Sequence, residues 1–492
     1  MTHISPIKKI LLTTSICTSI LAASAFPAFA VTDEEFAALK AQMSSFSEKL
    51  AELEGEQSEL KQENAMLKEQ NEVLQKQNAA LEEDLHVNVE KIAQIQKMSE
   101  VQMTNVANIE PAAGGGNPSN GMLIPGTDTR VKLGGYVKVD AIHDFNTSRD
   151  GNGEDFGLYA AIPLEGSTEE RQGSNTRIHA RQTRLNLTAT TPTEYGDLKV
   201  FVEGDFLDSQ GSQNTTNRAS FGLRHAYGQL DSFLFGQTWS NYMDLAAYPE
   251  SLDFQGVSGN TLLRQGQMRY TYTPEGGKNS FSVAIENPSS DVINSPSNSG
   301  ISSDLETYPD VTAKYRVTGD FGEFSLKGVG RYIEAYNSTV DSSEGEFGYA
   351  VGVSGKLKAF EKDDFRFQVA YGDGIGRYIF DLAAASQAAG YNANADAIDT
   401  IEAWGGYAAY RHWWTDDLRS NLIAGTTQII ENPDYLTAST TNESVMSAHG
   451  NLIWSVTPKF DIGAEYIYGH RETEDGSEGK LQRAQVSATY KF

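Results

Sequence analysis

Apolar residues recur with two different periods along this chain, and the change of period divides it into two parts. Between residues 31 and 110, leucine returns at every seventh position, which is the period of helices that wind around one another. From residue 130 to residue 492, apolar residues alternate with polar or small ones, which is the period of strands with one apolar face. We therefore predict a coiled coil over 31–110 and an all-β domain over 130–492.

The coiled-coil segment contains no proline and a single glycine, as a long helix requires. We expect one core position of the heptad to carry Leu53, Leu60, Leu67, Leu74 and Leu81. The other core position is mostly apolar at its two ends, with Phe36, Met43, Leu50, Leu85 and Ile92, and carries Gln57 and the three asparagines Asn64, Asn71 and Asn78 between them. Buried asparagines weaken a coiled coil but fix its register and number of strands, and they often accompany dimers. A lone solvated helix is the alternative, but the sustained leucine repeat favours association.

Residues 1–30 have the layout of a secretory signal peptide. Lys8 and Lys9 precede an apolar stretch, and an Ala-x-Ala cleavage site ends at Ala30. The single cysteine, Cys17, lies within this segment, so we expect the exported chain to form no disulfide bond. Residues 111–129 are rich in glycine and proline, and we predict a linker there.

The connections in the β domain alternate in length, and this predicts a transmembrane barrel. Sixteen strands are expected, at 130–142, 177–190, 197–208, 218–229, 232–239, 264–273, 279–287, 310–318, 322–333, 347–358, 364–372, 401–412, 418–429, 444–456, 459–470 and 482–492. Long connections follow the odd-numbered strands, among them 334–346 and 471–481, and short turns follow the even-numbered ones. Long loops at one end and short turns at the other are typical of antiparallel outer-membrane barrels, whose termini lie in the periplasm. The coiled coil is therefore expected in the periplasm, and a barrel of this size leaves an aqueous lumen.

Strand phase predicts which side chains face the lumen. In the last strand, Val486, Tyr490 and Phe492 are expected to face lipid, together with Ala484 and Ala488, whereas Gln485 and Ser487 face inward. Arginine or lysine on the lipid face would cost about 2–4 kcal/mol, so the basic residues of the strands should point into the lumen. The candidate lumen residues are Arg177, Arg181, Arg184, Arg224, Arg269, Lys314, Arg316, Lys327, Arg331 and Arg366. A break of phase near Gln182 and Thr183 predicts a bulge in the second strand.

A lumen lined with guanidinium groups would attract and guide small anions, because the guanidinium stays charged and binds carboxylates through two parallel hydrogen bonds. The alternative is that each arginine pairs with a neighbouring wall acid, such as Glu203, Asp205 or Glu286, and serves stability alone. The segment 240–263 is either a constriction loop folded into the lumen or a plain extracellular loop.

The formal net charge of the chain is −27, and removal of Lys8 and Lys9 with the signal peptide makes it −29. A chain this acidic is not expected to bind nucleic acid. Many of the acids lie in the predicted long loops, where they face solvent rather than the narrowest part of a channel. The net charge therefore does not exclude an anion channel.

No enzyme, metal ion or cofactor is expected. The chain lacks H-E-x-x-H and G-x-S-x-G motifs, and the glycines at Gly372, Gly374 and Gly376 have the wrong spacing for a dinucleotide site. A serine–histidine pair, Ser447 near His449, is the one hydrolase-like alternative.

Several motifs at the start of the β domain resemble the DcaP-like family of porins. They are Ile124 to Thr129, Lys132 to Asp140, Arg181 to Arg184, Tyr195 to Lys199, Val202 to Phe206, Leu223 to Gly228 and Phe235 to Trp239. Members of this family are trimeric outer-membrane channels associated with dicarboxylic acids and other small organic anions. The resemblance implies a homotrimer in outer-membrane lipid, with an arginine-lined channel at Arg181, Arg184 and Arg224.

Two functions follow as hypotheses. The first is passive diffusion of small anionic solutes, such as dicarboxylates, through the barrel. The second is a structural role, in which the barrel is an anchor and the coiled coil, roughly 110 Å long at 1.5 Å per residue, spaces the outer membrane from the cell wall or another periplasmic partner.

Overall fold

The computed structural model describes residues 121–146, 155–207, 216–275, 277–295, 301–302 and 306–492, together with isolated helical residues between 40 and 76. The signal peptide, the leucines and asparagines of the heptad and residues 111–120 of the linker lie outside the described residues. The coiled coil therefore stays a prediction.

Sixteen antiparallel strands form the wall of a closed barrel, as predicted. They are β1 (Arg130–Asp144), β2 (Asn175–His179 and Arg184–Thr193), β3 (Gly196–Asp205), β4 (Gly222–Leu230), β5 (Phe233–Trp239), β6 (Arg264–Tyr272), β7 (Asn279–Glu286), β8 (Asp310–Gly319), β9 (Gly322–Asn337), β10 (Ser342–Lys358), β11 (Asp364–Asp373), β12 (Glu402–Trp413), β13 (Leu418–Glu431), β14 (Asn442–Thr457), β15 (Phe460–Thr473) and β16 (Glu478–Lys491). Each strand pairs with the next one. The sheet closes because β16 pairs with β1, from Lys491 opposite Tyr136 to Arg483 opposite Asp144. Closure leaves the wall without a free edge, as a sheet surrounded by lipid requires.

The strands differ from the predicted ones mainly in where they end. The predicted phase break in the second strand is confirmed, since β2 is interrupted between His179 and Arg184. The predicted loops 334–346 and 471–481 were too long, because β9 pairs with β10 as far as Asn337 opposite Ser342, and β15 with β16 as far as Glu472 opposite Glu478. Cross-strand hydrogen bonds continue as long as two strands stay adjacent, so these hairpins extend beyond the apolar residues that mark the strands in the sequence.

The facing of the wall is that of a membrane barrel, with apolar side chains outside and polar ones inside. In β16, Val486 and Tyr490 are 52% and 50% exposed on the outer surface, whereas Gln485 and Ser487 are 1% and 2% exposed. The facing predicted for this strand is therefore confirmed. Many large apolar side chains elsewhere on the wall are also exposed, including Leu133, Phe235, Met268, Ile285, Leu326 and Leu422. Lipid, which replaces water around this surface, accounts for their exposure.

Three connections fold into the lumen instead of away from it. The segment before β2 places Tyr159 and Ile162, both fully buried, against the side chains of β14, β15 and β16. The connection between β5 and β6, residues 240–263, crosses the lumen, and we call it loop L3. The connection between β11 and β12 contributes the short helix α1 (Phe380–Ala384), and its Tyr378 packs on Tyr242 of L3.

The remaining elements are small. Two-residue strands, Met122–Leu123 and Ile301–Ser302, pair with β1 and β9. A separate three-stranded sheet joins two connections of the barrel and consists of Val292–Ser295, Ala389–Asn392 and Ala397–Thr400. Single 3-10 turns occur at Tyr159–Ala161, Glu170–Gln172 and Gly376–Tyr378. Within the part of the chain that the structure describes, no helix combines the length and apolarity needed to cross a membrane.

The facing of β16 makes a testable prediction about stability. Replacing Val486 with arginine would place a guanidinium group on the lipid side of the wall, so we expect the free energy of unfolding in lipid vesicles to fall by about 2–4 kcal/mol. Denaturant unfolding of the barrel refolded in vesicles measures this change. Val486→Leu is the matched control and should stay within about 1 kcal/mol of the parent. Equal stability of the two variants would contradict the assigned facing.

Candidate functional site

Loop L3 lies across the lumen and contacts the wall opposite the strands that carry it. It leaves the wall after β5 and returns to it at β6, yet Tyr407 of β12 donates a hydrogen bond to the carbonyl of Ala247, 3.1 Å away. The amide of Ser258 donates to the hydroxyl of Ser447 on β14, at 2.8 Å. Of the two alternatives for 240–263, the constriction loop is therefore correct and the plain extracellular loop is wrong.

Among the described residues, two cavities flank L3 inside the barrel. A cavity of about 710 Å³ lies between L3 and strands β2 to β9, and its charged lining residues are Arg184, Arg269, Lys314, Arg316, Glu203, Asp244 and Glu323. A cavity of about 320 Å³ lies on the side of β1 and β13 to β16, and its charged lining residues are Lys138, Arg184, Arg224, Arg419, Lys491, Glu250, Asp253 and Asp461. Arg184, Trp239, Met243 and Leu245 line both cavities. We call the first the large cavity and the second the small cavity.

Four of the candidate basic residues, Arg184, Arg269, Lys314 and Arg316, line the large cavity. Arg184 packs over the ring of Tyr136, 5.1 Å from its centre, and Lys314 donates to the carbonyl of Met243 in L3 at 3.1 Å. Among the described residues, Arg269 and Lys314 have no carboxylate within 4.0 Å. Two positive charges therefore face this cavity without a paired acid.

Arg224 lines the small cavity but is engaged by two acids of the neighbouring strand. Its guanidinium donates to Glu203 at 3.1 Å and to Asp205 at 2.8 Å, and the residue is 3% exposed. A register shift between β3 and β4 at Glu203 and Gly204 turns both Arg224 and His225 to the inside. Arg224 therefore pairs with acids of the wall, as the alternative to a solute-binding role expects.

Arg177 and Arg181 line neither cavity and instead hold the connection that precedes β2. Arg177 donates to Asp144 of β1 at 3.0 Å, and Arg181 donates to Asp155. Arg177 also lies 3.7 Å from Asp155, so both guanidinium groups converge on that carboxylate.

Arg331, Arg366 and Lys327 also lie outside the linings of both cavities. Arg331 is 2% exposed and donates to the carbonyls of Gly374 and Ile375 at 3.3 and 3.2 Å. Arg366 donates to the carbonyl of Tyr248 in L3 at 2.5 Å, and the ammonium group of Lys327 lies 4.8 Å from the centre of the Tyr242 ring. Three of the predicted basic residues thus attach the inward segments to the wall.

Several basic residues that contact L3 are not among the predicted lumen residues. Arg419 binds Glu250 through two parallel hydrogen bonds of 2.8 and 2.6 Å, and Arg483 is fully buried beside Asp253, at 3.4 Å. Lys138 donates to the carbonyl of Leu252 at 2.6 Å. Lys138 and Arg483 occupy the inward phase of β1 and β16, and Arg419 that of β13, so the same alternation would have identified them.

The acids of L3 are held close to these cations. Burial alone would raise the pKa of Glu250, but the hydrogen bond and the positive charge of Arg419 outweigh it and lower that pKa. Burial raises the pKa of Asp253, and the charge of Arg483 opposes this rise. Burial would also raise the pKa of Asp244, but a hydrogen bond from Ser354 and the charges of nearby lysines lower it.

Ser447 and His449 do come together, and Glu465 completes a chain of hydrogen bonds. The hydroxyl of Ser447 lies 3.1 Å from Nε2 of His449, and Nδ1 of His449 lies 2.7 Å from Glu465. Ser447 is fully buried, and its hydroxyl accepts the amide of Ser258. The group therefore fastens L3 rather than presenting a nucleophile to the lumen. Over the described ranges, no cluster of three or more His, Cys, Asp or Glu side chains is arranged to hold a metal ion.

The sequence model of a protein family described as "DcaP outer membrane protein" matches residues 56–492 of this chain. The chain belongs to the DcaP outer membrane protein family. The crystal structure of the outer membrane channel DcaP of Acinetobacter baumannii is similar, with a TM-score of 0.64 and 27% identity over 76% of this chain and 100% of that one. The porin Omp2a of Brucella ovis is 27% identical over 277 residues, which is 51% of this chain and 77% of that porin. Omp2a of Brucella melitensis is 27% identical over 252 residues, or 50% of this chain and 61% of that porin.

The resemblance drawn from the motifs is thereby confirmed. A closed barrel of sixteen strands and membership of the DcaP family together make the chain an integral outer-membrane protein of the porin class.

The contrast between two arginines of this DcaP-family barrel is testable by stability measurements. Replacing Arg224 with alanine would leave the buried Glu203 and Asp205 with only the more distant Arg184, at 3.5 and 3.7 Å. Because two charge-assisted hydrogen bonds are lost, we expect the free energy of unfolding to fall by about 1.5–3 kcal/mol. Arg316→Ala is the matched control, because Arg316 also pairs with one glutamate, at 3.3 Å, but is 44% exposed. Its loss should cost about 0–1 kcal/mol. Denaturant unfolding in vesicles compares the two, and equal losses would contradict the assigned burial.

Proposed function

We propose that this DcaP-family barrel is a passive diffusion channel for small anionic solutes, such as dicarboxylates. The observation that carries the proposal is the pair of cations, Arg269 and Lys314, that line the large cavity without a carboxylate within 4.0 Å among the described residues. A cation without a paired acid attracts a passing anion, whereas a neutralised ion pair does not.

The acids that line the same cavity already have partners. Glu203 accepts from Arg224 at 3.1 Å, Glu323 accepts from Arg316 at 3.3 Å, and Asp244 accepts from Ser354 at 2.7 Å. Their negative charge is thus offset locally or directed into the wall. The net field in the cavity is expected to favour anions despite the acidic composition of the chain.

The positions of the cations suit a solute with more than one carboxylate. Arg269 and Lys314 lie on β6 and β8, so they approach the large cavity from different parts of its wall. A dicarboxylate can contact both cations at once, and guanidinium groups bind carboxylates bidentately. Passage requires that no single contact be strong, which separated cations provide.

Removal of these charges tests the proposal. Two unit charges 4 Å apart in water interact by about 1 kcal/mol, so Arg269→Gln and Lys314→Gln should each lower the anion-to-cation permeability ratio roughly fivefold. Reversal potentials of single channels in a salt gradient measure the ratio. Arg130→Gln, at an exposed position that begins β1, is the control. A parent channel that prefers cations, or variants with an unchanged ratio, would refute the proposal.

We further propose that the protein is a homotrimer assembled by its coiled coil in the periplasm. The family match begins at residue 56, inside the heptad repeat, so the family model extends over most of the predicted coil as well as the barrel. Buried asparagines in a heptad core specify how many helices associate, and three are expected in this one. The alternative is that the coil spaces the membrane from the cell wall. Because both roles belong to the same segment, one deletion experiment distinguishes them.

Deletion of residues 31–110, with the signal peptide retained, should reduce the fraction of trimer in unheated detergent gels while each remaining pore keeps its conductance. The barrel carries the pore, and the coil would act only in assembly. An unchanged trimer fraction would contradict the assembly role. Sensitivity of the cells to detergents and large antibiotics, with trimers intact, would favour the spacer role instead.

A further inference from the structure

Loop L3 is fastened to the rest of the molecule at three places by the same arrangement of atoms. In each, one buried carboxylate accepts the hydroxyl of a loop serine and the backbone amide of the next residue. The three attachments are Ser240 and Asn241 on Glu286, Ser251 and Leu252 on Glu465, and Ser258 and Gly259 on Asp381. All six donor–acceptor distances lie between 2.5 and 2.9 Å. We call each serine–carboxylate pair a clamp.

The three carboxylates are distributed around the loop. Glu286 ends β7, next to the start of L3, whereas Glu465 lies on β15, across the lumen. Asp381 lies on α1, in the connection between β11 and β12. The first, middle and last parts of L3 are thus attached to three separate elements.

The clamps are not salt bridges to lysine or arginine. Each carboxylate is 3% exposed or less, and among the described residues none has a lysine or arginine nitrogen within 4.0 Å. Neutral wall groups fill the remaining acceptor positions, including Thr312 on Glu286 at 2.9 Å, Asn451 on Glu465 at 3.1 Å and Thr427 on Asp381 at 2.7 Å. His449 also meets Glu465, at 2.7 Å. A buried carboxylate without a strong cation depends on its hydrogen-bond donors, so the loop and the carboxylates hold one another in place.

The last clamp lies where L3 touches the wall most closely. Gly259 has φ +76°, and a Cβ atom there would lie 2.4 Å from the carbonyl oxygen of Thr426. On the facing strand, a Cβ atom at Gly425 would lie 2.2 Å from the carbonyl oxygen of Ser258. Glycine at both positions allows the two backbones to approach, which brings Ser258 within reach of Asp381.

The span between the first and second clamps carries the residues that divide the lumen. Met243 and Leu245 line both cavities, and Asp244 lines the large one. The clamps hold the chain between Asn241 and Ser251 at both ends, and wall side chains bind the carbonyls of Ala247 and Tyr248 between them. The clamps therefore fix where this span starts and ends, and so limit how far it extends into the lumen. The third clamp prevents the following part of the loop from sliding along the wall.

We propose that the three clamps are positioning elements that set the aperture of the channel, and that Ser240, Ser251, Ser258 and their carboxylates Glu286, Glu465 and Asp381 determine its conductance. The inference rests on the proposed function only in requiring that the lumen conducts. It does not depend on which ions are preferred.

The serines allow a test with small changes to the side chain. Ser251→Ala and Ser258→Ala each remove one hydrogen bond to a buried carboxylate, which shifts the equilibrium between the attached and the released loop by roughly tenfold or more. We expect the single-channel conductance to change and transitions between current levels to become roughly tenfold more frequent. Ser251→Thr and Ser258→Thr keep the hydroxyl and should restore steady currents. Ser439→Ala, at an exposed position of another loop, is the control.

Asp381→Asn is a second variant. It keeps the shape of the side chain but replaces one accepting carboxylate oxygen by an NH₂ group, which cannot accept the hydrogen bonds that the loop donates. It should give the same unsteady currents, whereas Asp128→Asn, at an exposed position before β1, should not. Heat-modifiable migration in gels shows that each variant is folded before recording. If the alanine and asparagine variants fold and show the same conductance and the same steady currents as the parent, the proposed role of the clamps is wrong.

The reversal potential of the parent channel is recorded in the same experiment and separates the two proposals. A channel without anion preference whose alanine variants conduct unsteadily would refute the proposed solute class and support the clamps. An anion-selective channel whose alanine variants conduct like the parent would support the proposed solute class and refute the role of the clamps.

Discussion

Every backbone amide and carbonyl of the wall must find its partner within the sheet, because lipid offers none. The pairing of β16 with β1 meets this requirement by removing the last free edge. Closure also fixes what each face of a strand contacts, with lipid outside and the lumen inside. The apolar outer surface, the polar interior and the alternation of residues along each strand all follow from this one constraint.

A polar interior brings its own cost, since charged groups enclosed by the wall need partners. Most of the inward cations of the described strands are satisfied in this way. Arg177, Arg224 and Arg483 are enclosed by wall or loop acids, and Arg331 is enclosed by carbonyl groups. Against that background, a cation that faces the large cavity without an acid, as Arg269 does, is the exception that points to a solute.

The inward segments use the same chemistry for a different purpose. Lysine and arginine of the wall bind the acids and carbonyls of L3, and carboxylates of the wall and of α1 bind its serines and amides. Donors and acceptors on the loop are therefore matched by acceptors and donors on the elements around it. Charge that looks like channel lining in the sequence is partly the means by which the channel is narrowed.

Several features could be predicted because their signal is local. The period of two, the sixteen strands, the inward phase of Gln485 and Ser487 and the motifs that resemble the DcaP family all depend on neighbours along the chain. The closed barrel determines which inward cations stay unpaired, since Arg177 and Arg269 occupy equivalent phases, but Arg177 meets Asp144 and Arg269 lines the large cavity. It also decided the course of L3, because Glu286, Asp381 and Glu465 are far apart in the chain and come together around the loop only when the barrel closes.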